Sequence, residues 1–146
     1  MKSERFASVA HDENTAGYVR ALVDEYLARI RQYAEVETTE LRETSDAALR
    51  KLKLPLGATV VLLDAEGKLF TSAQFAKWLG GLRDRGAREV IFLCGAAHGF
   101  PEELRRRAGQ SISLSSLTMS HELARVLLAE QIYRAFTILA GHPYAK

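Results

Sequence analysis

Two short segments, residues 58–64 (ATVVLLD) and Glu89–Cys94 (EVIFLC), constrain this chain more than any other feature. Each is an unbroken apolar run, too short for a helix and bounded by turn residues. A strand reads this way when both of its faces are buried. Between the runs, Phe75, Trp78, Leu79 and Leu82 recur at helical spacing, with Ser72 placed to cap and Gly86 placed to close. Buried strand, helix, buried strand is the pattern of an α/β fold with a mostly parallel sheet flanked by helices.

The rest of the chain fits that frame. Residues 5–10 predict a first strand and 35–41 a second. Residues 15–33 predict a helix whose apolar stripe is Tyr18, Leu22, Tyr26, Leu27 and Ile30. Thr44 or Ser45 is placed to cap a helix reaching Lys53, before a turn at Pro55 and Gly57. Glu66-Gly67 predicts a further turn, Pro101 a helix start, and 111–114 a short strand. Ser120 caps a last helix with Leu123, Val126, Leu127, Ile132 and Phe136 as its apolar stripe. There is no repeat, linker or low-complexity tract, so 146 residues predict one domain over 1–146.

Composition removes several classes. With 47% hydrophobic and 26% charged residues the chain is neither disordered nor fibrous. No apolar run nears the roughly 20 residues of a membrane helix. The first residues lack a secretory apolar stretch, which predicts a cytoplasmic protein. Cys94 is the single cysteine, which excludes an internal disulfide, and His11, His98, His121 and His142 lack metal-ligand spacing, so no metal is expected. The net charge of +2 is unevenly placed: residues 1–72 hold ten Lys and Arg against twelve Asp and Glu, whereas 73–146 hold ten against six. Arg105, Arg106 and Arg107, with Arg83 and Arg85, form either a patch for phosphates or a solvated face.

Ligands of parallel sheets collect outside the carboxyl ends of the strands. Three such ends stand out: Leu63-Asp64, the small-residue loop 95–99 (GAAHG), and 114–119 (LSSLTM). No phosphate-binding glycine signature is present, so a nucleotide held by its phosphates is not indicated. Cys94 near His98 admits a nucleophile reading, but a cysteine ending a buried strand more often packs as a small hydrophobe. In the last helix Arg125, Glu130, Gln131, Tyr133 and Arg134 interrupt an apolar segment. They mark either a solvent face or a face turned to a site or a partner subunit.

The segments VVLLDAEGK (60–68), FLCGAAHGF (92–100), SLSSLTMSHELARVLLAEQIYRAFTI (113–138) and GHPY (141–144) resemble the SPOUT-class RNA methyltransferases. Within that class they resemble the ribosomal large-subunit pseudouridine N3-methyltransferases. The resemblance implies a C-terminal trefoil knot, an exception to the usual absence of knots. It implies S-adenosyl-L-methionine as cofactor, a homodimer with its sites near the subunit interface, and 23S rRNA as substrate, while the small net charge predicts recognition of the assembled ribosome rather than of free RNA. Carried over by position, the cofactor contacts are Leu63, Gly95, Leu114, Ser115, Ser116, Leu117, Thr118 and Met119. His121, Arg125, Tyr133 and Arg134 fall around the site and interface. Arg134 and Tyr144 become candidates for stabilising the anion that develops at N3, and His142 a candidate base.

The chain departs from the family at Ala96 and Ala97 in the glycine loop, at Ala145 after the tail tyrosine, and at Ala10-His11 after the first strand. Two other readings stay open: a SPOUT enzyme acting on another RNA such as tRNA, and a non-catalytic ribosome- or RNA-binding protein that keeps the knot.

Overall fold

The two apolar runs lie side by side at the centre of the sheet. A computed structural model describes residues 3–9, 13–41, 47, 53–94 and 99–144, with the backbone alone for 3–9, 13–16, 40 and 41. In chain order the elements are β1 (Ser3–Val9), α1 (Glu13–Ile30), β2 (Glu35–Leu41), β3 (Thr59–Leu69), α2 (Ser72–Asp84), β4 (Glu89–Cys94), α3 (Glu102–Arg107), β5 (Gln110–Ser113) and α4 (His121–Leu139). The strand order is β2-β1-β4-β3-β5, and every neighbouring pair is parallel. All five strands therefore end on one edge, which gathers the three loops that follow β3, β4 and β5.

Side chains alternate through the sheet with the two-residue period of a strand. Val61, Phe92 and Ile112 face a large core closed by α1, α2 and α4. Val60, Leu62, Ile91 and Leu93 face a smaller core closed by Phe100 and Leu104. Both central runs are thus buried on both faces, as their unbroken apolarity requires.

Several boundaries differ from expectation for local reasons. Thr71, not Ser72, caps α2: its Oγ accepts the Gln74 N–H at 3.1 Å while Gln74 Oε1 accepts the Thr71 N–H at 2.8 Å. Pro101 is the residue before α3 rather than its first. The stripe of α1 that meets the core is Val19, Val23, Leu27 and Ile30, leaving Tyr18 81% exposed and Leu22 outside. On α4 the buried face runs through Leu128, Ile132 and Phe136, while Leu123 is exposed. β3 does not stop before Glu66-Gly67 but resumes pairing, so that Leu63 and Lys68 both stand opposite Ile112 and the residues between them bulge out. Of the helix expected from Thr44 or Ser45 to Lys53, only Ala47, which is helical, and Lys53, which is irregular, are among the described residues.

Candidate functional site

Against the bulge within β3 and outside the ends of β4 and β5 lies a cleft of about 440 Å³, so Leu63-Asp64 border it from inside a strand rather than from the strand end expected. Leu63, Leu114, Ser115, Ser116, Leu117, Thr118 and Met119 all line it, together with Asp64, Ala65, Cys94, Gly99, Phe100, His121 and Ala124. The segment after β5 is shaped by its own serines. Ser113 Oγ donates to the Ser115 carbonyl at 2.9 Å, and Ser115 Oγ accepts the Leu117 N–H at 3.0 Å. These bonds curl the chain so that apolar side chains and backbone groups face the cleft with no charged side chain between them. Gly95, Ala96, Ala97 and His98 lie outside the described residues.

Cys94 borders the cleft but is buried, and that burial pushes its thiol up to about 12 against the opposing influence of the Arg125 guanidinium. A thiol held protonated at neutral pH is a packing residue rather than a nucleophile. The consequence for stability has a definite sign. The unfolded chain ionises this thiol from about pH 9, whereas the folded chain holds the proton to about 12. Its contribution is complete below about pH 9 and fades as pH rises through that window. Thermal midpoints measured from pH 8 to 11 should therefore fall less steeply for Cys94→Ala than for the parent. Parallel slopes would refute this.

A second group of polar residues sits further along α4. Glu130 Oε1 takes a hydrogen bond from Arg134 Nε at 2.9 Å, an ion pair from its Nη2 at 2.6 Å, and the Tyr144 hydroxyl at 3.1 Å. Glu130 Oε2 accepts from Gln131 Nε2 at 2.9 Å, and the Ser72 hydroxyl donates to Gln131 Oε1 at 2.7 Å. The Arg134 guanidinium lies over the Tyr144 ring at 5.2 Å, and that ring meets Tyr133 edge-on at 4.6 Å. Partial burial, then the Glu130 carboxylate, push the Tyr144 phenol up to about 12, so it is a hydrogen-bond donor at neutral pH. The hydrogen bond to Glu130 likewise raises Arg134.

The tail reaches this cluster because α4 ends in a reversal at Gly141. With φ +72 there, the Gly141 N–H bonds the Ile138 carbonyl and the His142 N–H bonds the Thr137 carbonyl. Only a residue free to adopt positive φ makes this turn cheaply. Tyr144 is thereby laid back along the helix onto Glu130. His142 Nδ1 accepts the Tyr144 N–H at 3.3 Å.

The expected site residues therefore fall into two groups. The described cofactor candidates share one cleft, and Arg134, Tyr144 and His142 share another locality with Glu130. From Ala124, where the cleft touches α4, to Arg134 is about 15 Å at a helix rise of about 1.5 Å per residue. Between the groups, a smaller cavity of about 130 Å³ meets the cleft at Ser113 and Leu114, and Ser72 and Gln131 line its other side.

The residues that pattern reading missed are Glu130 as the hub of the cluster and Arg105 at the cleft. Of the three consecutive arginines, only Arg106 points outward. Arg107 Nη2 donates to the Pro55 and Ala58 carbonyls at 2.6 and 3.2 Å, and Arg105 pairs with Asp64. The phosphate-patch reading is reduced accordingly. Arg125 is buried at 3% exposure rather than facing solvent. Among the described residues no group of three or more metal-ligating side chains comes together, and no helix is long and apolar enough to cross a membrane.

A family model described as "Predicted SPOUT methyltransferase" matches residues 5–145. The chain belongs to the SPOUT methyltransferase family. Among its relatives, the ribosomal RNA large subunit methyltransferase H of Geobacter sp. (strain M21) is 42% identical over 137 residues, covering 87% of this chain and 89% of the relative. The protein of the same name from Geobacter sulfurreducens is 40% identical over 137 residues, 87% and 90% of the two chains. That from Koribacter versatilis is 43% identical over 129 residues, 86% and 87%.

Proposed function

We propose that this SPOUT chain methylates N3 of a pseudouridine in 23S rRNA, taking the methyl from S-adenosyl-L-methionine and acting on the assembled ribosome. The cleft carries the reading, and the names of the relatives direct it to large-subunit rRNA. The residues present suit the cofactor. Leu63, Leu114, Leu117 and Met119 offer an apolar seat for a purine, serine hydroxyls and backbone groups suit a ribose, and among the described residues neither Lys nor Arg lines the cleft to repel a sulfonium. When bound, the cofactor supplies a methyl group already activated by positive charge. The chain then has mainly to align reactants, a contribution of about 7–11 kcal/mol in favourable cases.

The proton on N3 must leave as the methyl arrives. Arg134, held by Glu130 and with further N–H groups to give, is a donor suited to the charge that develops on the base, and the protonated Tyr144 hydroxyl joins it on turning from Glu130. His142 has Nδ1 engaged with the Tyr144 amide, which places the proton of a neutral ring on Nε2. It serves as a base only after releasing that amide. Since the cleft and the Arg134 cluster lie about 15 Å apart along α4, the reading includes a homodimer in which the cluster of one protomer approaches the cleft of its partner. The reading also includes a single 1–146 domain with its C-terminal trefoil knot, a cytoplasmic location and no metal. The small net charge of +2 favours recognition of a particle by shape over tight binding of free RNA.

The test is transfer of labelled methyl from S-adenosyl-L-methionine to ribosomes from cells lacking the modification, with the product mapped by mass spectrometry. Label on a 23S pseudouridine is expected. Label on tRNA instead would reassign the substrate, and absence of both label and cofactor binding would leave a non-catalytic binding protein.

A further inference from the structure

One wall of the cleft is held by a side chain outside its lining. Arg105, on α3, places Nη2 2.8 Å from Asp64 Oδ2 and donates from Nε to the Phe100 carbonyl at 3.1 Å. Asp64 opens the bulge of β3, and its other oxygen, Oδ1, accepts the Glu66 N–H at 3.0 Å and so fixes the bulge's shape. Phe100 and Gly99 belong to the loop that follows β4, and a Cβ on Gly99 would stand 3.2 Å from Arg105 Nη2. One guanidinium therefore bridges the β3 bulge and the loop after β4, which share the cleft but are distant in sequence. The Asp64 side chain is only 13% exposed, so its charge needs a partner on the protein side.

We propose that Arg105 is a positioning residue for the cofactor cleft: it clamps the β3 bulge to the loop after β4 and sets the spacing between the two walls. The proposal rests on the cofactor reading above, and it removes Arg105 from the residues that would touch rRNA phosphates. The planar fork of arginine suits the task because it serves a carboxylate and a carbonyl at once, which a lysine ammonium on a flexible stem does less well. Arg106 is the internal comparison. It stands beside Arg105 in sequence, its side chain is 72% exposed, and among the described residues it reaches only Glu102 at 3.8 Å.

The experiment measures S-adenosyl-L-methionine binding by calorimetry, the KM for ribosomes and the thermal midpoint, for the full chain and for Arg105→Ala, Arg105→Lys, Asp64→Asn, the Arg105→Ala/Asp64→Asn double variant and Arg106→Ala. Arg105→Ala should raise the cofactor Kd about tenfold, the scale of one charge-assisted hydrogen bond, with the ribosome KM unchanged. Arg105→Lys should recover part of that loss. Asp64→Asn should resemble Arg105→Ala, and the double variant should be no worse than either single one, since both break the same clamp. Arg106→Ala should leave the cofactor Kd unchanged.

An unchanged Kd with a raised ribosome KM would show an RNA contact and overturn the clamp. So would additive losses in the double variant, or a lowered thermal midpoint with normal cofactor affinity. If Arg105→Ala proves too unstable to assay, Asp64→Asn and Arg105→Lys decide by the same criteria. A parent protein that binds no cofactor sinks the functional reading and the clamp with it, whereas a parent that binds and an Arg105→Ala variant that binds equally well sinks the clamp alone.

Discussion

Glu130→Gln should lower methyl transfer at least about a hundredfold, the scale of losing an oriented donor at a developing charge, while leaving cofactor affinity within about twofold. The carboxylate is the shared acceptor for Arg134, Tyr144 and Gln131, so it sets where two candidate donors point. Glutamine keeps the size and one carbonyl oxygen but gives up the charge that holds Arg134 at 2.6 Å and over the Tyr144 ring at 5.2 Å. Stability should fall by less than about 1 kcal/mol, because the pair is partly open to solvent and screened. Tyr144→Phe removes a single donor and should cost less, about tenfold. The informative comparison is kcat against cofactor Kd. A Glu130→Gln enzyme with normal kcat would remove the whole cluster from the reaction, whereas a large rise in cofactor Kd would mean that it shapes the cleft instead.

Glu130 also shows what a sequence conceals. Its partners Arg134 and Gln131 are helical neighbours and can be guessed from spacing, but Tyr144 comes from beyond the helix and arrives only because Gly141 reverses the chain. Arg105 was legible as a charge and not as a clamp, because Asp64 reaches it only through the parallel order β4-β3-β5. By contrast, β2 and β4 have the bounds that alternation and apolar runs imply, since those patterns are imposed by burial itself. The expected stripe of α1 holds at Leu27 and Ile30 but fails at Tyr18 and Leu22, because two faces of that helix are apolar. Tyr18, Leu22 and Tyr26 form one and Val19, Val23 and Leu27 the other, and only packing against the sheet and α4 chooses between them. The segment 114–119 stood out as a strand end and took its cofactor role from the resemblance alone, and the serine hydrogen bonds give its shape a physical reason.

Gly67→Ala should destabilise the protein by about 1–3 kcal/mol, the range for forcing atoms into a filled space. It should weaken cofactor binding at the same time. At Gly67 the bulge of β3 closes back onto β5, and a Cβ there would lie 2.7 Å from the Ile112 nitrogen, the Ile112 carbonyl carbon and the Ser111 carbonyl carbon. These are backbone atoms of a paired strand, so no side chain can swing aside. Relief requires β5 to move away from β3 or the bulge to lift, and either displaces Asp64 and Leu63 on one wall and Leu114 on the other. In a chain of this size each kilocalorie lowers the thermal midpoint by about 2–4 °C, so the loss is measurable by calorimetry. Gly57→Ala is the matched control. Among the described residues no atom beyond its chain neighbours lies within 4 Å of a Cβ built there and its φ is not positive, so it should be neutral or stabilise by about 0.4–1 kcal/mol through the unfolded chain. If the two variants melt together, the close approach of Gly67 to β5 does not set the position of the bulge, and the turn residues that look alike in sequence are alike in the folded protein as well.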